Sequence, residues 1–353
     1  MPPVAPSRAL NALARELLSL VACATLAAAC APLPPPAPPP APIVAAPPVA
    51  PPPAPPPPPV PPPPQPLSEL TLATQRAFFD ALRSHDEAAL AHLYAPDAAI
   101  YVGLGVAEAH GPDAAATLAK TFWEAFPDVK IQWSNLLQSG NAVAVELAWT
   151  GTQTSPLAGL VPARPPRVVG SHALLLERFA PNGLLQAQHL YFDKDALESD
   201  LASRGAKPHA FDGLPTSQST VLDHAVATAE DDAAMRGLAA SFMRGAFADV
   251  RGLGLATSAW VDRTKGHTVS GKSAIPAWVS FLEHTFKGGG KQLMDVWSTG
   301  EWVVLEWSSS SGSAPDAGGA HAAELVLFDG GHIAEVRSYR SSTPNAHPAR
   351  ADR

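Results

Sequence analysis

From residue 67 onward, apolar positions recur first at helical and then at strand spacing, an order that predicts an α+β fold. Residues 67–84 place Leu70, Ala73, Ala77, Phe78, Ala81 and Leu82 on one stripe, the mark of a long amphipathic helix. Asp86 is suited to cap a second, short helix ending near Tyr94. A short strand over 98–102 leads to a helix over 111–126. Antiparallel strands are then expected over 129–136, 142–150, 168–179 and 184–193. Helices first and a meandering sheet afterwards describe a curved sheet wrapped around helices, with a cavity inside the cone.

The pattern recurs once. The helix over 111–126, opened by Gly111, is matched by 271–286, opened by Gly271, at an offset of 160 residues. The same offset sets Gly140-Asn141 on Gly300-Glu301 and the strand 142–149 on 302–309. After a shorter loop, 171–179 aligns with 320–328, and each is followed by a glycine-bearing turn and a final strand. Elements kept in order, with gaps confined to loops, identify a diverged duplication. The expected organisation is two tandem cone-shaped α+β domains at 67–205 and 218–345, with a linker at 206–217 and a disordered tail at 346–353.

Residues 1–66 do not share this pattern. Arg8 and Arg15 precede an apolar stretch over 17–29, which has the length of a signal-peptide core and is too short to span a bilayer. It runs into Leu26-Ala27-Ala28-Ala29-Cys30, which resembles a bacterial lipobox, so residues 1–30 are read as a lipoprotein signal with Cys30 lipidated. Leu20-Val21-Ala22-Cys23 matches the lipobox too but leaves a shorter apolar stretch. Residues 31–66 are almost all Pro, Ala and Val, a disordered polyproline II stalk that could reach roughly 110 Å at about 3.1 Å per residue. The expected location is the bacterial envelope, at the outer membrane facing the periplasm, with membrane contact through the lipid anchor alone.

Composition narrows the function. The chain is 46% hydrophobic and 16% charged, enough for real cores, and its net charge is −8 with no basic run among aromatics. Nucleic acid is excluded as a partner on that ground. Both cysteines lie within the first thirty residues, so the domains offer no disulfide, no thiol nucleophile and no Cys-ligated zinc. The histidines lack ligand spacing, and neither a metal nor a cofactor is expected.

Phe126-Pro127-Asp128, then Gly140-Asn141 opening an apolar strand, then Trp149-Thr150-Gly151-Thr152-Gln153-Thr154, resemble the SnoaL-like polyketide cyclase family. Tyr191-Phe192-Asp193 before a helix over 195–201 adds to the likeness, which covers 67–205 closely and 218–342 more loosely. The resemblance implies the nuclear transport factor 2-like fold and pairing through the outer sheet face, here as an intramolecular pseudo-dimer. It also implies that Asp193, ending the last strand, is the general acid/base of a cofactor-free ring closure. His189 departs from the family, where tryptophan is common.

The residues themselves allow more than one role. Alternation sets His189, Tyr191 and Asp193 on one face of the last strand, and Gln186, Gln188, Leu190 and Phe192 on the other. A carboxylate beside an imidazole and a phenol can take a proton next to a carbonyl and steady the enolate. Asp193 equally suits a cap on the helix that follows. The second copy has Arg337, Tyr339 and Ser341 at these places and therefore lacks the base. Trp123, Phe126, Trp149 and Tyr101 are candidates for the cavity's apolar wall, or plain core. His172, aligned with His321, is a candidate ligand contact or a sheet residue. Glu146 and Glu306, also paired by the repeat, lie opposite Val143, Val145 and Leu147, on a solvated or interface face.

Binding of a small, mostly apolar molecule ranks first among the functions. A cofactor-free cyclase or isomerase acting on a small carbonyl compound through Asp193 is the alternative, and a protein-interaction scaffold the third. Export and the missing acid in the second copy favour binding. The anchoring has a direct test: metabolic palmitate labelling should mark the protein, and Cys30→Ala should abolish the label. A label that persists until Cys23 is also changed would move the site.

Overall fold

The computed structural model describes residues 67–103, 108–202, 227–263, 265–285, 290–310 and 321–341. The expected signal, Cys30, stalk, linker and tail lie outside the described residues. The first domain runs α1 (Leu67–Ser84), α2 (Glu87–Ala91), β1 (Tyr94–Val102), β2 (Ala109–His110), α3 (Gly111–Ala125), β3 (Lys130–Ser139), β4 (Ala142–Thr152), β5 (Val168–Phe179), β6 (Leu185–Tyr191) and α4 (Lys194–Ala202). The second repeats it with α5 (Ala229–Met243), α6 (Phe247–Val250), β7 (Gly254–Asp262), β8 (His267–Ser270), α7 (Ala274–Thr285), β9 (Gly290–Thr299), β10 (Trp302–Ser310), β11 (His321–Asp329) and β12 (His332–Ser341).

Local chemistry sets these boundaries. Asp86 caps α2, its side chain accepting the Ala89 N–H at 2.9 Å. The first strand begins at Tyr94 rather than at 98, because the chain leaves α2 at His92 and Tyr94 already pairs with Leu185. The last strand of the domain ends at Tyr191, so Asp193 lies beyond it. Gly111 and Gly271 open their helical segments at φ 78° and 82°, a region that favours glycine. A Cβ on Gly111 would also stand 2.9 Å from the Pro96 carbonyl oxygen. Asp128 fastens the turn after α3, accepting the Thr152 N–H at 2.6 Å and its hydroxyl at 2.7 Å.

The two sheets are ordered β2-β1-β6-β5-β4-β3 and β8-β7-β12-β11-β10-β9. β1 runs parallel to β6, and β7 to β12, while every other neighbour is antiparallel. A parallel neighbour needs a long crossover, which a helix and four strands supply in each domain. The registers confirm the repeat: Ile100 stands opposite Gln188 where Trp260 stands opposite Val336, and Leu147 opposite Ala173 where Trp307 stands opposite Ala322. Both cones are α+β, as the periodicity predicts.

Three apolar clusters follow. Each cone has its own core between helices and concave sheet face. A third joins the two outer faces, with Leu137, Ala144, Leu174, Leu176 and Tyr191 of one sheet against Trp302, Val304, Ala323, Leu325 and Tyr339 of the other. Two glutamates are buried in this seam. Glu306 accepts from the Tyr191 hydroxyl and bonds His189 Nδ1. Glu146 accepts from the Tyr339 hydroxyl and the Arg337 guanidinium, and from Asn135 Nδ2 at 3.2 Å. The two clasps are equivalent under the repeat, each carboxylate being held by the other domain's last strand. Of the two settings open to this glutamate pair, solvent or interface, it is the interface.

Burial opposes ionisation of Glu146, but the Arg337 charge and the Tyr339 hydrogen bond outweigh it and hold the carboxyl below its usual range. Removing one partner of a buried ion pair strands the other. Glu146→Ala should therefore cost about 3–5 kcal/mol of stability, read by urea denaturation. A loss below about 1 kcal/mol, the value of an exposed pair, would show the clasp to be solvated.

Candidate functional site

Strand β6 divides two environments. Gln188 and Leu190, with Phe192 just after the strand, face the inside of the first cone, where a cavity of about 280 Å³ lies. Phe78 and Leu82 from α1, Leu118 and Phe122 from α3, and Leu147 and Trp149 from β4 form much of its wall. Among the described residues no Asp, Glu, Lys, Arg or His lines it. The polar groups in the wall, among the described residues, are those of Tyr94, Thr121 and Gln188 and the indole N–H of Trp149.

Two of these belong to a buried chain. The Tyr94 hydroxyl donates to Gln188 Oε1 at 2.7 Å, and Gln188 Nε2 donates to Glu177 Oε1 at 2.8 Å. Glu177 is 2% exposed, on the same face of β5 as Ala173, Leu175 and Phe179. Gln75 approaches it from α1 without a well-formed hydrogen bond, leaving Glu177 Oε2 and both Gln75 amide atoms unpartnered among the described residues. Burial pushes the Glu177 carboxyl up to about 8, the weaker pull of Gln188 and Gln75 notwithstanding. At neutral pH this group is a neutral acid.

The expected catalytic face turns away from the cavity. His189 and Tyr191 sit in the seam on Glu306. Desolvation opposes charge on His189, but Glu306 overrides it and raises the imidazole pKa. Asp193 caps α4, its Oδ1 accepting the Ala196 N–H at 3.0 Å, and it does not line the cavity. Tyr101 also faces the seam, its hydroxyl 2.7 Å from Ser341 Oγ and its ring 4.7 Å from that of His321. His172 shares the outer face of β5 with Leu174 and Leu176. Of the expected apolar wall only Trp149 lines the cavity. Phe126 packs behind it at 4.9 Å, and Trp123 stacks on His85 at 4.9 Å, because both lie on the buried flank of α3's end.

Tyr94, Glu177 and Gln188 are the residues that sequence reasoning missed. A charge between Leu175 and Phe179 on an apolar face, across from a glutamine, was the available signal.

The second cone has been filled. Cavity positions Leu82, Ile100, Leu118 and Leu147 correspond to Phe242, Trp260, Trp278 and Trp307. Trp278 is fully buried, and the Phe242 ring meets Trp278 at 5.6 Å and Trp307 at 4.9 Å. Ala115 becomes Ile275, and Tyr94 becomes Gly254, where a Cβ would stand 2.7 Å from Ile275 Cγ1. The polar chain is also gone: Glu177 opposite Gln188 is replaced by Val326 opposite Val336.

A cone-shaped α+β domain with an apolar cavity between helices and sheet defines the class. Residues 75–179, within the first cone, match the model of the SnoaL-like domain. Curated proteins return no match. Among solved structures, a candidate SnoaL-like polyketide cyclase from Jannaschia sp. CCS1 is similar at 19% identity, covering 40% of this chain and 96% of its own, TM-score 0.36. An NTF2-like protein of unknown function from Burkholderia pseudomallei K96243 is similar at 16% identity, covering 38% of this chain and 98% of its own, TM-score 0.33. The Mycobacterium tuberculosis protein RV0760c, solved with estradiol-17β-hemisuccinate, is similar at 15% identity, covering 36% and 95%, TM-score 0.30.

Glu177 makes stability depend on pH. Its pKa is raised in the folded state from the ordinary 4.5 to about 8, so the folded protein keeps a proton that the unfolded chain has lost. Its contribution is full below about 4.5 and is lost as pH rises through about 8. In urea denaturation, wild-type stability should fall relative to Glu177→Gln by on the order of 1 kcal/mol per pH unit between these values. Parallel pH curves for the two proteins would show that Glu177 ionises freely.

Proposed function

We propose that the chain is an envelope-tethered binding protein whose first domain holds a small, mostly apolar molecule, without turnover. The observation that carries this reading is the cavity of about 280 Å³ with no charged group in its wall. Burying an uncharged apolar body there is favourable at roughly 25 cal/mol per Å², and no carboxylate or imidazole is among the described lining residues. The cyclase or isomerase alternative needs a base in contact with the occupant, and Asp193 is occupied as a helix cap. The second domain serves as a closed structural copy, and the two act as an intramolecular pseudo-dimer through their outer faces. A signal, a lipid on Cys30 and the proline-rich stalk would place the pair at the outer membrane, facing the periplasm.

The second copy supplies the test. Leu118→Trp with Leu147→Trp installs in the first cone the indoles found at Trp278 and Trp307. Titration calorimetry with the uncharged dye N-phenyl-1-naphthylamine should show saturable binding to the wild type and at least tenfold weaker binding to the filled variant. Asp193→Asn should bind as the wild type does. Equal binding by wild type and filled variant, with the variant's melting temperature retained, would put the ligand elsewhere.

A further inference from the structure

We propose that Tyr94 and Gln188 form a subsite for a single neutral oxygen, so that the ligand is an apolar molecule carrying one hydroxyl or carbonyl group. The inference rests on the binding reading above and names the ligand class for the same cavity. Thr121, another polar residue of the wall, is exposed and gives its hydroxyl proton to the Thr117 carbonyl at 2.8 Å within α3. The Trp149 indole is a donor only, whereas the Tyr94–Gln188 pair offers an occupant both an acceptor and a donor.

Their hydrogen-bond inventory is incomplete. Tyr94 gives its one proton to Gln188 Oε1 and keeps acceptor capacity on the phenol oxygen. Gln188 Nε2 gives one proton to Glu177 and keeps a second N–H. A ligand hydroxyl can use both groups, and a ligand carbonyl can take the amide N–H.

The duplication provides an independent control. Where the cone is filled by indoles, Tyr94, Gln188 and Glu177 are replaced by Gly254, Val336 and Val326. The filled cone buries a different polar chain, in which Trp260 Nε1 donates to Ser338 Oγ at 2.8 Å and Ser338 Oγ donates to Glu324 Oε2, so it is the Tyr94–Gln188 pair at the cavity wall that goes with the open cone. Charge is selected against by the same wall. A carboxylate head would be desolvated with no cation in the lining to meet it, and Glu177, neutral at pH 7, offers a cationic head no attraction.

Three two-ring probes decide the matter at pH 7 by titration calorimetry on the full chain: naphthalene, 2-naphthol and 2-naphthoate. 2-Naphthol should bind about tenfold more tightly than naphthalene, as expected for one to two added hydrogen bonds, and 2-naphthoate most weakly. Tyr94→Phe should erase most of the naphthol advantage and leave naphthalene unchanged. Equal affinity for naphthol and naphthalene overturns the oxygen subsite and leaves the apolar cavity reading intact. Failure of both to bind overturns the two together, and tightest binding by naphthoate overturns the neutral ligand class. A full naphthol advantage in Tyr94→Phe also overturns the subsite. If that variant does not fold, the wild-type ranking of the three probes decides alone.

Discussion

Glu146 and Glu306 sit between two sheets, out of water, where a carboxylate without partners is untenable. Each is clasped from the other domain, Glu146 by Tyr339 and Arg337 and Glu306 by Tyr191 and His189, with Asn135 of its own domain adding to Glu146. Neither domain can satisfy its own glutamate in this way. The faces bearing these residues must therefore meet, and the opposite faces must close over the helices. Everything on the concave side, including the cavity and its polar chain, follows from that choice of face. Buried ion pairs are poor sources of net stability; here they fix which surfaces touch.

The duplication has diverged on the concave side while keeping this clasp. Leucine and isoleucine at four cavity positions face tryptophan and phenylalanine at the equivalents, and small Ala115 faces Ile275. An unfilled apolar cavity of this size carries a penalty on the order of several kcal/mol, since lining atoms lose contacts that a packed core would make. The second cone avoids the penalty by filling. Joined through the seam cluster, a packed copy can support an open one. The division of labour lies in side-chain volume, with backbone topology unchanged.

Most of the fold was legible from periodicity and the repeat. The apolar stripe of α1, the cap at Asp86 and the strands 142–150 and 168–179 all stand where the alternation sets them. The early start of β1 was not, because Tyr94 pairs with Leu185, about ninety residues on, and local pattern does not carry that contact. The site was legible only in part. Alternation on the last strand sorted its residues correctly into two groups, but the group with an imidazole and a phenol was matched to the cavity. A second domain covers that face, and polar residues gather there because they cross the seam. Gln188, on the group left aside, carries the cavity's hydrogen bonds.

Three buried carboxyls with opposite fates show how the chain keeps charge apart from its cavity. Glu146 and Glu306 are held ionised because an Arg337 guanidinium and a His189 imidazole lie against them. Glu177 is as deeply buried but has only amides for neighbours, so desolvation prevails and it keeps its proton. For these three the difference is a cation in direct contact, and Arg337 and His189 lie on the seam side of their sheets. At the first domain's own clasp, β6 marks the boundary: His189 and Tyr191 meet a charge on one face, while Gln188 and Leu190 meet an uncharged space on the other. A shift of one residue in its register would exchange these faces, placing an imidazole in the cavity and leaving Glu306 without its clasp. The register of β6 is thus under constraint from both sides, and the neutrality of the cavity and the pairing of the domains rest on the same strand.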